Sequence, residues 1–275
     1  MSDPRDDPMD DFVRRELLLD EEPMTVWTAG TAGPAGRGPA VVVMPEMPGL
    51  SPDVLRFARW VRDAGFTVYL PSLFGVDGAY PTTERGEPVI RRACVSREFR
   101  AFGGGETSPV VSRLRALARL AHQECGGRGV GAVGLCFTGN FALTMMLERS
   151  VVAAVVNHPS LPLDAPEALE ISPDHADALR ARFRAEGLRV IGYRFDTDRW
   201  CTAARFAAYE QLLGEGFDGR TLPGATADPD PPSFFRDVFG TPHSVVTAHL
   251  VDEAGHPTVQ ARDEILAYLA QCLHD

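Results

Sequence analysis

The stretch that most constrains this chain runs Gly131-Ala132-Val133-Gly134-Leu135-Cys136-Phe137-Thr138-Gly139-Asn140. The apolar, Gly-rich run from Val130 to Leu135 reads as a buried strand, and Phe141 to Leu147 behind it reads as a helix. A lone cysteine sits between them in a tight turn. A strand, a sharp turn and a helix with a nucleophile at the apex form a nucleophile elbow, here with Cys in place of the usual Ser. The turn lifts the side chain above the sheet edge, and backbone N–H groups at the helix start face a developing oxyanion. Small flanking residues let the strand and helix backbones pass close to each other. Gly-x-Cys-x-x-Gly also fits a structural cysteine beside a helix start, because free Cys is among the most buried residue types. The rest of the chain has to separate the two.

Alternating strand and helix signals surround the elbow. Thr25 to Ala29 is an early strand, after a poorly ordered tail and a short amphipathic start over residues 1–20. Thr31 to Gly38 is a Gly/Pro-rich loop. Ala40 to Met44 is continuously apolar and mostly β-branched, as suits a strand buried on both faces. It ends in the turn Pro45-Glu46-Met47-Pro48-Gly49. Ser51 then caps a helix with Pro52 at its first position, and Gly65 stops it. Thr67 to Leu70 is the next strand, which predicts a right-handed βαβ unit. Residues 71–108 read as mostly irregular, with a basic cluster of Arg91, Arg92, Arg97 and Arg100. Pro109 to Gln123 returns to helical periodicity. After the elbow come a strand at Val151 to Asn157, a helix at Asp174 to Arg184, a strand at Leu188 to Phe195 and a helix at Ala203 to Leu213. Residues 222–242 read as a long loop with one helical turn. Ser244 to Leu250 is expected to be the last strand, and Pro257 opens a final helix reaching about Leu273.

This order predicts a doubly wound, mostly parallel sheet with helices on both faces. Residues 1–24 are expected to be an acidic tail and lead-in, and 25–275 a single domain, a size one α/β domain routinely reaches. The net charge of −11 argues against nucleic acid and anionic membrane as partners. A small molecule is the expected partner, with a second copy of the chain left open. The five cysteines are scattered, with no Cys-x-x-Cys pair, which suits a reducing compartment rather than a disulfide framework or zinc site. With no signal-peptide pattern and no apolar run of membrane-spanning length, the expected location is the cytoplasm.

Sites in such sheets lie at the carboxyl ends of strands. Cys136, Asp198 and His256 fall at expected strand ends in that order, the nucleophile–acid–histidine order of α/β-hydrolases. A thiol needs a base to become a nucleophile at neutral pH. His256 is the expected base, and Asp198 the carboxylate that holds its tautomer. Each has another reading. Asp198 also suits a helix N-cap, Asp196 competes as the acid, and His256 also suits a cap in its turn. His158, after the strand next to the elbow, is a candidate neighbour of the pocket or a hydrogen-bonded loop histidine.

Four segments together resemble the dienelactone hydrolase family, the cysteine branch of the α/β-hydrolases. They are Val41 to Gly49, Gly65 to Phe74, Gly134-Leu135-Cys136-Phe137-Thr138-Gly139 and Ala254-Gly255-His256. The resemblance covers about residues 25–273 and implies an α/β-hydrolase fold without a large cap domain. It implies Cys136 as nucleophile, His256 as base, Asp198 as acid, and Glu46 as a carboxylate that contacts the resting thiol and helps move its proton. The Phe137 and Met47 N–H groups match the oxyanion hole. The activity it implies is cofactor-independent hydrolysis of an ester or lactone through an acyl-thioester intermediate. Another ester or thioester hydrolase on the same triad, or a binding module with a redox-sensitive Cys136, are the alternatives.

Two departures from the family pattern stand out. Thr138 occupies the place of the first of two glycines. Pro257 and Gln260 stand where enzymes acting on dienelactone carry a Ser and an Arg that grip the substrate carboxylate. Arg97 is the cation that the pocket segment offers in exchange.

Overall fold

The apolar, β-branched runs of the sequence lie side by side in one eight-stranded sheet. The strands are β1 (Val13–Leu19), β2 (Glu22–Ala29), β3 (Ala40–Met44), β4 (Thr67–Pro71), β5 (Val130–Leu135), β6 (Val151–Asn157), β7 (Val190–Phe195) and β8 (Phe217–Leu222). Their spatial order is β1-β2-β4-β3-β5-β6-β7-β8. β3 to β8 are parallel, while β1 and β2 form an antiparallel hairpin that joins the sheet against β4. The computed structural model describes residues 3–30 and 38–274. The loop expected over Thr31 to Gly38 lies outside them apart from Gly38, as do Met1 and Ser2 of the expected tail.

Among the described residues seven α-helices cover the two faces: α1 (Pro52–Asp63), α2 (Thr83–Val95), α3 (Val110–Cys125), α4 (Gly139–Met145), α5 (Pro173–Glu186), α6 (Ala203–Leu213) and α7 (Pro257–Leu273). The two-residue repeat of a strand decides which face each side chain serves. Val41 and Val43 of β3 pack with α1 and α7, whereas Val42 and Met44 pack with α3 and α4. Buried on both sides, the central strands have no polar face, which is why they read as unbroken apolar runs. Ser51 caps α1 as expected, its hydroxyl accepting the Val54 N–H at 3.3 Å.

The structure departs from the sequence expectations in three places. The expected tail over 1–24 contains strand β1, and the acidic residues ahead of it are paired. Arg59 bonds Asp7 at 2.6 Å and Asp11 at 2.7 Å, Arg85 bonds Asp6 at 2.6 Å, and Met9 and Phe12 are buried. Those arginines lie on later helices, out of reach of a local reading. The expected irregular segment 71–108 contains α2, capped by Thr82, whose hydroxyl accepts the Arg85 N–H. Pro88 within it is a helix breaker, and it obscures the periodicity.

The third difference bears on the site. Ser244 to Leu250 is not a strand. It is a buried run of turns in which the Ser244 carbonyl accepts the His249 N–H at 3.0 Å and the Thr247 carbonyl accepts that of Leu250 at 3.1 Å. The sheet ends instead with β8, whose Asp218, Arg220 and Thr221 reflect a half-covered edge strand. No helix among the described residues is long and apolar enough to cross a membrane.

Candidate active site

β5 delivers Cys136 into the turn with φ of +55°, a left-handed conformation that is uncommon for a residue with a side chain. A single 3-10 turn, Cys136–Thr138, follows and leads straight into α4. The turn is so tight that a Cβ on Gly134 would stand 2.1 Å from the Thr138 carbonyl oxygen. Thr138 tightens it further. Its hydroxyl accepts the Leu135 N–H at 2.8 Å and lies within 3.3 Å of the Met44 carbonyl and 3.2 Å of the Pro45 carbonyl. The side chain that departs from the family's glycine thus ties the elbow to the end of β3.

Asp198, just past β7, is a buried carboxylate with both oxygens engaged. Oδ1 accepts the N–H groups of Trp200 at 2.8 Å and Cys201 at 3.1 Å. Oδ2 lies 2.7 Å from Nδ1 of His243. The other ring nitrogen, Nε2, is buried with no hydrogen-bond partner among the described residues. Phe239 stacks on the imidazole at 4.5 Å between ring centroids. Burial disfavours the charged ring, but Asp198 and Cys136 together outweigh it and hold the His243 pKa up to about 10.

Glu46, fully buried in the turn after β3, faces the same cluster. Its Oε2 accepts from Ser244 Oγ at 2.5 Å and from His158 Nε2 at 3.1 Å. Burial pushes its pKa up, against the pull of Ser244, Thr247 and the histidines. His158 follows β6 with φ of +38°, and its ring lies 4.7 Å from that of His243. Burial and the neighbouring His243 push its pKa well below 6.5. Burial likewise lowers His249 to about 4, with Nδ1 accepting the Ser244 N–H at 3.2 Å. Two neutral imidazoles therefore surround one that favours its proton. The cysteine sulfur itself has Ser160 Oγ at 3.3 Å.

Of the residues expected from the sequence, Cys136, Asp198, Glu46 and His158 converge here. Met47 and Phe137 are buried in the turns that follow β3 and β5, neighbouring strands with Met44 opposite Gly134. His256 does not join them. It is the N-cap of α7, with Nδ1 2.9 Å from Thr258 Oγ1 and accepting the Thr258 N–H. The cap reading weighed for it is the geometry observed, and the imidazole beside Asp198 belongs to His243. Arg97 is exposed on the segment after α2, and no contact ties it to the buried cluster among the described residues. Asp196 accepts the Gly224 N–H at the surface, and the carboxylate beside His243 is that of Asp198. Glu46 bonds His158 and Ser244 rather than the thiol that the family pattern pairs it with.

Sequence reasoning missed His243, Ser244 and Ser160. A signal for the first existed: His243 is the first histidine after β8, in the loop following the true last strand. Its discovery required reading the polar run Phe217–Leu222 as a sheet edge. Among the described residues no group of three or more His, Cys, Asp or Glu side chains is placed to hold a metal ion.

A thiol at an elbow, an imidazole with a free Nε2 and a carboxylate on its Nδ1 have the chemistry to form a nucleophile and shuttle its proton. Residues 25–179, more than half of the chain, match the model of the dienelactone hydrolase family. A carboxymethylenebutenolidase from Pseudomonas sp. (strain P51) is 29% identical over 115 residues, 41% of this chain and 46% of that protein. The chain thus matches about half the length of that relative. Among solved structures, a dienelactone hydrolase-like promiscuous phosphotriesterase from metagenomic libraries superposes with a TM-score of 0.62 at 16% identity, over 95% of this chain and 99% of that one. A dienelactone hydrolase from Anabaena variabilis gives 0.59 at 16%, over 96% and 98%. An α/β serine hydrolase without a lid from Xanthomonas campestris gives 0.55 at 12%, over 97% of each. At these identities the structures establish the fold, which is that of an α/β-hydrolase. By the family match, this chain belongs to the dienelactone hydrolase family.

Proposed function

We propose that the protein is a carboxylic ester or lactone hydrolase in which Cys136, His243 and Asp198 form the catalytic triad. The observation that carries this reading is the 2.7 Å contact between Asp198 and His243 beside the cysteine of the elbow. His243 Nε2 takes the thiol proton and the thiolate attacks the acyl carbon. The Phe137 and Met47 N–H groups face the oxyanion. The leaving oxygen collects the proton from His243, and water then releases the acyl group from sulfur with His243 again as base. Asp198 keeps Nδ1 protonated so that Nε2 accepts.

A thiolate is a good leaving group, so the tetrahedral intermediate tends to expel it. That favours enol-type esters and lactones, whose own leaving groups are good, over amides. The surroundings are aromatic: Phe74 meets Phe137 at 6.4 Å and Phe99 at 4.8 Å. Arg97 is exposed, and Gln260 bonds the Gly255 carbonyl. This supports neutral esters over a lactone that carries a carboxylate. The five free cysteines suit the reducing cytoplasm as its location.

The test is turnover of p-nitrophenyl esters, enol-lactones and dienelactone by the wild type, Cys136→Ala and His243→Ala. The reading requires hydrolysis of at least one panel member that both substitutions abolish, with a mass increase on Cys136 during turnover. Turnover that survives Cys136→Ala would refute it.

A further inference from the structure

We propose that Ser160 is a further catalytic residue, a hydrogen-bond donor that holds the Cys136 sulfur as thiolate. Ser160 Oγ lies 3.3 Å from Cys136 Sγ, and the Ser160 N–H donates to the Cys136 carbonyl at 3.2 Å. Both residues are buried, Cys136 fully and Ser160 to within 1% of full burial. A buried hydroxyl is costly to leave unpaired, and the partner described for this one is the reacting sulfur.

The loop that carries Ser160 is built to keep it there. It leaves β6 through His158, whose N–H donates to the Tyr193 carbonyl at 2.7 Å and whose ring is tied to Glu46. Pro159 packs against the start of α4 so closely that a Cβ on Gly139 would sit 2.7 Å from the Pro159 ring. Beyond Ser160, the Pro162 carbonyl accepts from the buried Arg205 guanidinium at 2.5 Å, and that guanidinium also bonds the Ala168 carbonyl. The serine is therefore fixed from both sides, and its hydroxyl has one rotor left to aim at sulfur.

Two charge states use this contact in turn. With the thiol neutral, Ser160 Oγ is its hydrogen-bond partner. When the S–H proton moves to His243 Nε2, Ser160 keeps its own proton and points it at the sulfur anion. When sulfur bonds the acyl carbon, that lone pair is consumed and the hydrogen bond lapses. Ser160 thus raises the thiolate population and moderates its nucleophilicity. In this chain it takes the place beside the resting thiol that the family pattern gives to Glu46.

The role in turnover rests on the hydrolase reading, but the contact can be tested without turnover. The Cys136 peptide is quantified by mass spectrometry after timed iodoacetamide treatment from pH 5 to 10, for the wild type, Ser160→Ala and Ser160→Thr. Loss of the donor in Ser160→Ala should raise the alkylation midpoint by roughly one pH unit. Thiolate then falls about tenfold below the midpoint, while each thiolate becomes about threefold more reactive. The rate should be about threefold lower at acid pH and about threefold higher on the alkaline plateau, so the two profiles cross. A packing defect moves both arms the same way. Ser160→Thr, which keeps the hydroxyl, should follow the wild type.

A Ser160→Ala midpoint within 0.2 units of the wild type (about a 1.6-fold change in thiolate) overturns the proposal. So does a Ser160→Thr profile that shifts like alanine, and this second arm decides the matter if the alanine variant does not fold. A wild type that hydrolyses no panel ester yet shows crossing profiles would retire the hydrolase reading and leave Ser160's role in place.

Discussion

Two substitutions separate the imidazole beside Asp198 from the one that caps α7. His243→Ala removes the ring 2.7 Å from Asp198 Oδ2. Asp198 keeps the Trp200 and Cys201 N–H donors on Oδ1, so its carboxylate is half-satisfied rather than abandoned. That places the stability loss near the low end for a broken buried pair, about 3 kcal/mol, or roughly 6–12 °C in Tm. On the proposed mechanism the general base is lost, so activity suffers more: kcat/KM should fall by about 10³-fold. His256→Ala removes only a helix cap. The ring nitrogen accepts the Thr258 N–H at a long 3.4 Å, so the loss is about 1 kcal/mol, roughly 2–4 °C, with kcat/KM within twofold. Ester hydrolysis at 20 °C and thermal unfolding of the three proteins supply both readouts. A hundredfold loss in His256→Ala beside near-normal activity in His243→Ala would reverse the assignment.

Further outcomes follow from the same geometry. His158 and His249 have lowered pKa values in the fold, so the unfolded chain binds protons first as pH drops below 6.5. Their contribution to stability is present above that pH and is lost as pH falls, for His249 down to about 4. Between pH 6.5 and 5, His249→Gln should flatten the fall of unfolding free energy by up to ~1.4 kcal/mol per pH unit, and parallel curves would contradict this. Glu46→Ala deprives His158 and Ser244 of their acceptor and should cost about 2–4 kcal/mol. Glu46→Gln keeps an acceptor oxygen and should cost less than half as much; equal losses in denaturant titrations would argue against the bonding described. Gly139→Ala drives a methyl group into Pro159 and should destabilise by about 1–3 kcal/mol, with the Cys136 alkylation rate changing alongside. An unchanged melting curve would show that the elbow and the Ser160 loop can separate freely.

What was legible in the sequence divides along a physical line. The central strands announce themselves because burial on both faces leaves no room for polar residues, as in Ala40–Met44 and Val130–Leu135. The elbow is legible because a nucleophile flanked by small residues is a local pattern. Glu46, Cys136, His158 and Asp198 stand out as candidates because each lies within three residues of the end of such a strand. The unread parts depend on distant partners. The acidic stretch around Asp7 and Asp11 reads as solvated until Arg59 is seen beside it. β8 is polar because it is an edge. Val245, Val246 and Thr247 have strand-like chemistry, but β8 already fills the place beside β7, so they close into turns over Glu46. Misreading that one run moved the expected histidine thirteen positions along the chain.

Four neighbouring parallel strands, β3, β5, β6 and β7, are followed within three residues by Glu46, Cys136, His158 and Asp198 in that lateral order. Strands in a sheet stand about 4.8 Å apart, so these side chains are graduations on a ruler about 14 Å long. The hydrogen-bond register sets their spacing, and a slip of one residue would turn a side chain to the opposite face. None of the four can be relocated without re-pairing the sheet. His243 alone hangs from a tether, the long connection between β8 and α7. Its position in space is dictated by Asp198 and Phe239 at the far end of that tether, and its position in sequence by nothing in the sheet. On the proposed mechanism the base is therefore the interchangeable part, deliverable from a loop of another length while the ruler stays unmoved.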